Sequence, residues 1–282
     1  MFTLIDTDKD TTFLIGDVHG QFKAIGNWVK QNGLSNCNVI FCGDFGLGFS
    51  SLQEEMSLIK KTDKICHERN VDCYAIRGNH DDPSYYKDGA CKVKFNNIEL
   101  LSDYTVLKTP LHNILCVGGA ISIDRFKRLE EYNKDVFFLM HYRHYGLEKA
   151  TMKAKKCYWD DEPFHLDTVA IDEIKKANIN IDTVVTHSAP DFCEPIAKNN
   201  VAEWMEIDKE LEEDLNKERT NITTLYNLLK ENGNNVTNWF YGHFHKHYNN
   251  VINGTKFIGL DMGRLGKYGG GVGGFFDMVE LR

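Results

Sequence analysis

The 282-residue chain carries a formal charge of −8, with 42% hydrophobic and 26% charged residues, a balance ordinary for a globular protein. Its acidity argues against a general binder of nucleic-acid backbone, which needs clustered Lys and Arg. No run approaches the roughly 18 apolar residues of a membrane-spanning helix. The opening stretch, MFTLIDTDKDTTF, has no basic segment followed by an apolar one, and the eight cysteines are scattered without a Cys-x-x-Cys pair. Reduced thiols and a cytoplasmic location are therefore expected.

In chain order, residues 11–16 predict a buried strand and 21–33 a helix closed by Gly33. NVIFCGD (38–44) predicts a second strand. Residues 50–69 show helical spacing, with a serine cap and Glu54 behind it. VDCYAIRGNHD (71–81) predicts a third strand, and this rhythm is that of a layered α/β domain with a parallel sheet. Between 91 and 123, short runs such as CKVKF and NILCVGGAIS follow one another as hairpins do. Residues 124–166 look irregular and rich in aromatics. A helix over 167–178, a strand over 181–190 and one or two acidic helices over 196–232 come next. VTNWFYGHFH, KFIGLDMG and FFDMVEL close the chain as strands.

With no linker, repeat or low-complexity segment, one domain over 1–282 is expected. GRLGKYGGGVGGF (263–275) lacks the Gly-Lys-Ser/Thr of a phosphate loop and reads as a turn or bulged strand entry. Charge is uneven: residues 121–156 hold nine Lys/Arg against five Asp/Glu, and 191–235 hold five against eleven. Solvated faces explain that, unless the basic segment flanks an anionic substrate.

Five apolar strands end in a turn that releases His, Asp or Asn: GDVHG, CGDFG, RGNHD, THSAP and GHFH. Residues i and i+2 at a strand end point the same way, so Asp17 with His19, and His243 with His245, each aim two ligands into one place. The C-terminal strand ends of an α/β sheet gather at one edge, where sites form. Oxygen and imidazole donors without thiolate suit Mn, Fe, Zn or a similar divalent ion. Seven candidates exceed the needs of one ion. Two ions sharing a bridging carboxylate, about 3.5–4 Å apart, account for the number.

The ordered set GDVHG (16–20), GD (43–44), GNHD (78–81), HSAP (187–190) and GHFH (242–245) resembles the calcineurin-like metallophosphoesterase superfamily. The resemblance implies a four-layer α-β-β-α sandwich with two mixed β-sheets and a dinuclear centre at the C-terminal strand ends. It assigns Asp17, His19 and His245 to one metal and Asn79, His187 and His243 to the other, with Asp44 as the bridge. His80 matches the family's general acid, and Asp81 is placed to orient it. Two cations lower the pKa of a shared water to near 7, from about 15.7, which suits attack on phosphorus. Mn is the first expectation for the pair, with Fe, Zn, Ni or Co as substitutes.

The chain departs from the protein serine/threonine phosphatase branch. GDFGLGF has no Asp-Arg pair after the second motif, and HSAP stands where that branch has His-Gly-Gly. A small phosphoester or nucleotide, monoester or diester, is the expected substrate. Nuclease action and a non-catalytic scaffold rank below it. Ser122, Asp124 and Arg125 are placed to reach the site, and Arg125 is either a phosphate contact or a structural salt bridge. Trp159, in YWDDEP, either stacks on a substrate ring or anchors its loop. The resemblance makes about 191–235 a helical insertion, a lid or a partner surface. His67, His112, His141, His144, His165 and His247 are expected to lie outside the centre.

Overall fold

The computed structural model describes residues 1–48, 52–87, 95–268 and 271–281, with the backbone alone for 52, 264–268 and 271–275. The first half runs β1 (Thr3–Asp6), β2 (Thr12–Ile15), α1 (Phe22–Gln31), β3 (Cys37–Phe41), α2 (Leu52–Glu68) and β4 (Val71–Ala75). After them come β5 (Ile98–Leu100), β6 (Thr105–Lys108), β7 (Asn113–Val117), α3 (Arg125–Tyr142), α4 (Leu147–Lys153) and α5 (Thr168–Lys176). The rest is β8 (Thr183–Thr186), α6 (Val201–Ile207), α7 (Leu211–Glu231), β9 (Asn238–Tyr241), β10 (Tyr248–Ile252) and β11 (Thr255–Gly259), then β12 (Arg264–Tyr268), β13 (Gly271–Phe275) and β14 (Met278–Leu281).

Two mixed sheets form, ordered β1-β6-β7-β8-β9-β11-β10 and β14-β2-β3-β4-β5. Side chains alternate across each strand, and that alternation builds three apolar layers. Leu14, Ile40 and Tyr74 of one sheet meet Leu107, Ile114, Val185, Phe240 and Ile258 of the other in the middle. Ile15, Val39, Phe41 and Cys73 face outward onto Phe22, Ile25 and Trp28 of α1 and Ile59 of α2. Leu115, Val184, Trp239 and Phe257 face the other way onto Ile171 and Ile174 of α5 and Ile222, Leu225 and Leu229 of α7. The fold is the expected four-layer α-β-β-α sandwich.

Two helices carry clear local causes. Asp167 caps α5 by accepting from the N–H groups of Val169 and Ala170. α7 has Glu212, Glu213 and Asp214 in its first turn and Lys230 in its last, matching the helix dipole. α7 lies in the outer layer over its sheet, so most of the acidic stretch is packed structure.

Three local expectations need correction. Residues 124–166 are not irregular, since they hold α3 and α4. α3 buries only Arg128, so it carries no core-facing apolar stripe to betray it. The 91–123 stretch is not a run of hairpins: β6 and β7 pair antiparallel, but β5 runs parallel to β4. Residues 91–94 of CKVKF and the expected serine cap of α2 lie outside the described residues. The glycine-rich stretch forms an antiparallel ribbon, β12 with β13.

Parallel register aligns the strand ends. Ile15 pairs with Phe41 and Phe41 with Ala75, while Val185 pairs with Phe240 and Tyr241 with Gly259. The loops after β2, β3, β4, β8 and β9 therefore leave at one edge of the sandwich.

Candidate metal centre

That edge brings all seven expected side chains together. His19 Nε2 stands 3.0 Å from His245 Nε2, and His245 Nε2 is 3.0 Å from Asp17 Oδ2. Asn79 Oδ1 lies 3.2 Å from His187 Nε2 and 2.9 Å from His243 Nδ1. Asp44 sits between the two groups. Its Oδ1 is 3.2 Å from His187 Nε2, and its Oδ2 is 3.8 Å from His19 Nδ1. One ligand atom from each of Asp17, His19, Asp44 and His245 falls within a 4.8 Å cluster.

The chemistry of these contacts fits cations. His187 Nδ1 donates to the Cys42 carbonyl at 2.7 Å, which turns Nε2 toward the Asp44 and Asn79 oxygens. Asn79 donates its Nδ2 to Ser122 Oγ at 3.0 Å, which fixes Oδ1 as the atom facing the two imidazoles. Asp17 Oδ2 and Asp44 Oδ2 are buried with no hydrogen-bond donor satisfying them. Electron-rich atoms converging out of water need a proton or a cation between them. Burial opposes charging of His187, but the Asp44 and Asp17 carboxylates override it and hold its pKa at about 9.

Local backbone explains how the ligands converge. His19, Asp44, His243 and His245 all sit at positive φ, 46°, 49°, 65° and 52°. That region costs a non-glycine residue about 1–3 kcal/mol and is concentrated at functional sites. A Cβ on Gly78 would lie 2.1 Å from Asp44 Oδ1, and one on Gly242 would lie 2.2 Å from Asp17 Oδ1. The glycines preceding Asn79 and His243 thus leave the space that the carboxylates occupy.

The family model for calcineurin-like phosphoesterases matches residues 11–247, a span that holds all seven side chains. The chain belongs to the calcineurin-like phosphoesterase family. No curated protein matches it. Among solved structures the chain is similar to a dimetal phosphatase from Danio rerio, at 12% identity and TM-score 0.47 over 91% of this chain and 88% of that one. A 5'-nucleotidase from Staphylococcus aureus aligns at 12% identity and TM-score 0.46, over 89% of this chain and 48% of that one. This chain therefore spans about half the nucleotidase's length. GAP50, the anchor in the inner membrane complex of Plasmodium, aligns at 13% identity and TM-score 0.42, over 96% and 80%. Likenesses this distant carry no functional argument. Among the described residues, no helix is long and apolar enough to cross a membrane.

The remaining candidate residues sort by contact. His80 lies edge-on to His19, ring centroids 4.8 Å apart. Its Nε2 is 2.9 Å from Arg128 Nη2. Arginine only donates, so Nε2 is the acceptor. Burial first, and Arg128 with it, lower the His80 pKa to about 4 against the pull of Asp44. Asp81 is buried and accepts from the N–H groups of Phe45 (3.1 Å), Gly46 (2.6 Å), Leu47 (3.0 Å) and Gly78 (2.8 Å). Burial and the Asp44 charge push its pKa up to about 7, and these donors work against the rise. Its four bonds tie the turn after Asp44 to the turn before Asn79.

Arg125 is held in ion pairs, with Nε 2.5 Å from Asp208 and Nη1 2.7 Å from Asp214. The structure thus gives it the salt-bridge alternative, and its neighbour one turn on, Arg128, reaches the centre instead. Trp159 is buried and anchors its loop. His247 pairs with Asp277 at 2.7 Å, outside the cluster.

Sequence reasoning missed two supports. Glu162 accepts from the Ser122 N–H at 2.6 Å, and Ser122 in turn holds Asn79. Arg77, next to Gly78, donates to the carbonyls of Asp161 (3.1 Å), Glu162 (2.7 Å) and Pro163 (2.9 Å). The acidic YWDDEP segment beside an arginine preceding the third motif was the signal available. A cavity of about 960 Å³ opens beside His19 and His80, with Phe22, Glu54 and Glu55 in its wall.

Proposed function

We propose that the chain, as one domain over 1–282, hydrolyses a phosphoester of a small molecule or nucleotide with two divalent ions, Mn foremost. Family membership supports phosphoester hydrolysis in general. Asp17, His19 and His245 would hold one ion, Asn79, His187 and His243 the other, and Asp44 both. The observation that carries this reading is the convergence of imidazole nitrogens and unsatisfied carboxylate oxygens at one edge. When bound, such ions supply the acidity that brings a water's pKa to about 7 and offset charge on phosphoryl oxygens.

The chain's own groups do the rest. As water oxygen bonds to phosphorus, the ester P–O bond breaks with its electron pair on the departing oxygen, and His80 is placed to protonate that oxygen. In the free protein His80 Nε2 accepts from Arg128, so the neutral ring keeps its proton at Nδ1. A phosphoryl oxygen that engages Arg128 would free Nε2 to take the proton that the attacking water gives up and to pass it to the departing oxygen. Asp81 keeps the loops of Asp44 and His80 together through backbone bonds. The absence of an Asp-Arg pair after the second motif supports a substrate other than a phosphoprotein.

The test is turnover of p-nitrophenyl phosphate and its bis-ester by Mn-loaded protein. Hydrolysis of at least one is expected, lowered by about 1,000-fold or more in Asp44→Asn. No turnover of either with metal bound would leave a non-catalytic member of the family.

A further inference from the structure

Two cations that no motif announces lie beside the centre, Arg128 against His80 and Lys198 in a cavity wall with His243. Arg128 is the one buried residue of α3. Asp124, four residues back, holds its Nε at 2.7 Å. The Cys157 carbonyl takes Nη1 at 3.3 Å, and Nη2 is left against His80 at 2.9 Å. Asp124 balances the guanidinium at Nε, but the imidazole at Nη2 brings no negative charge of its own. A phosphoryl oxygen would supply that charge.

Lys198 is the other. It shares with His243 the wall of a second cavity of about 190 Å³. Its loop is pinned from α7 by Arg219, which donates to the carbonyls of Ala189 (3.3 Å), Pro190 (2.7 Å), Cys193 (2.6 Å) and Pro195 (3.1 Å), and also of Ile196. Five carbonyls on one guanidinium make that loop a fixed wall. Burial holds the Lys198 ammonium below the ordinary lysine pKa, against the opposing pull of the Asp44 and Asp17 carboxylates.

We propose that Arg128 and Lys198 form a clamp on the phosphoryl group, and that the clamp selects phosphomonoester dianions over diesters. The inference rests on the hydrolase reading above. A monoester presents three non-bridging oxygens and close to two negative charges. A diester presents two such oxygens and one charge, so it gives a guanidinium fork and an ammonium less to hold.

Mn-loaded full-length protein is assayed on p-nitrophenyl phosphate and its bis-ester, and inorganic phosphate binding is measured by calorimetry. Arg128→Ala is expected to lower kcat/KM about 100-fold or more on the monoester and about 10-fold at most on the diester, and to weaken phosphate binding about 30-fold. Arg128→Lys keeps the charge without the fork and should restore only part of each. Lys198→Ala should show a smaller loss with the same bias toward the monoester. Lys127→Ala, at an exposed neighbour of Arg128, should leave both esters unchanged. Metal content and thermal midpoint are compared for every variant, and Arg128→Gln replaces Arg128→Ala if the latter does not fold. Equal losses on the two esters, or phosphate binding indifferent to Arg128, overturn the clamp. If the unsubstituted protein turns over neither ester with metal bound, the hydrolase reading fails, and phosphate binding alone then decides the clamp.

Discussion

The two halves of the centre are built differently. In the inner half Asn79, His187 and His243 are at most 2% exposed, and a further set of bonds orients two of them: Cys42 fixes the ring of His187, and Ser122 fixes the amide of Asn79. In the outer half, His19 and His245 are 21% and 35% exposed, and their Nε2 atoms face each other at 3.0 Å beside Asp17. A ligand oriented before binding has less freedom to lose, and partners of this kind typically change metal affinity 10–100-fold. The inner half should therefore bind first and release last, while the outer half exchanges with solvent.

Breaking the support beneath both halves should have the largest effect. Asp81→Ala removes the acceptor of four buried N–H groups and is expected to cost about 3–5 kcal/mol, read by urea unfolding of metal-free protein. A loss below about 1 kcal/mol would mean that other contacts hold the two turns.

A smaller effect sharpens the comparison from the inner side. Burial raises the Glu162 pKa to about 8, against the Ser122 N–H bond. Between the ordinary glutamate value and 8, the native protein holds a proton that the unfolded chain has released. Stability from this group is thus complete below about pH 4.5 and is lost as pH rises through 8. His187, also raised, adds a loss in the same direction, so the slope has to be read by difference. Glu162→Gln should flatten the fall in stability between pH 5 and 9 by on the order of 2 kcal/mol. Parallel slopes would show that Glu162 is ionised in the native protein.

Much of the centre was legible because its ligands sit behind strands whose alternation is strong, as in Leu14 and Ile15 or Ile40 and Phe41. The order of the five motifs carried the rest. What was not legible depends on helices that bury almost nothing. α3 contributes a single buried side chain, so its period left no trace, and with the helix hidden Arg125 stood out as a candidate while Arg128 did not. They lie three residues apart on one face, yet Asp208 and Asp214 claim the first, and Asp124 aims the second inward. Glu162 and Arg77 escaped notice because the bonds that support the centre run to backbone groups, which leave no residue pattern.

The most direct measurement is a calorimetric titration of Mn into metal-free protein. Two ions per chain are expected, with affinities at least about 10-fold apart. His245→Ala should abolish the weaker phase and leave the tighter one, and His243→Ala should remove the tighter one. Fewer than two ions, or loss of the tighter phase in His245→Ala, would contradict the account.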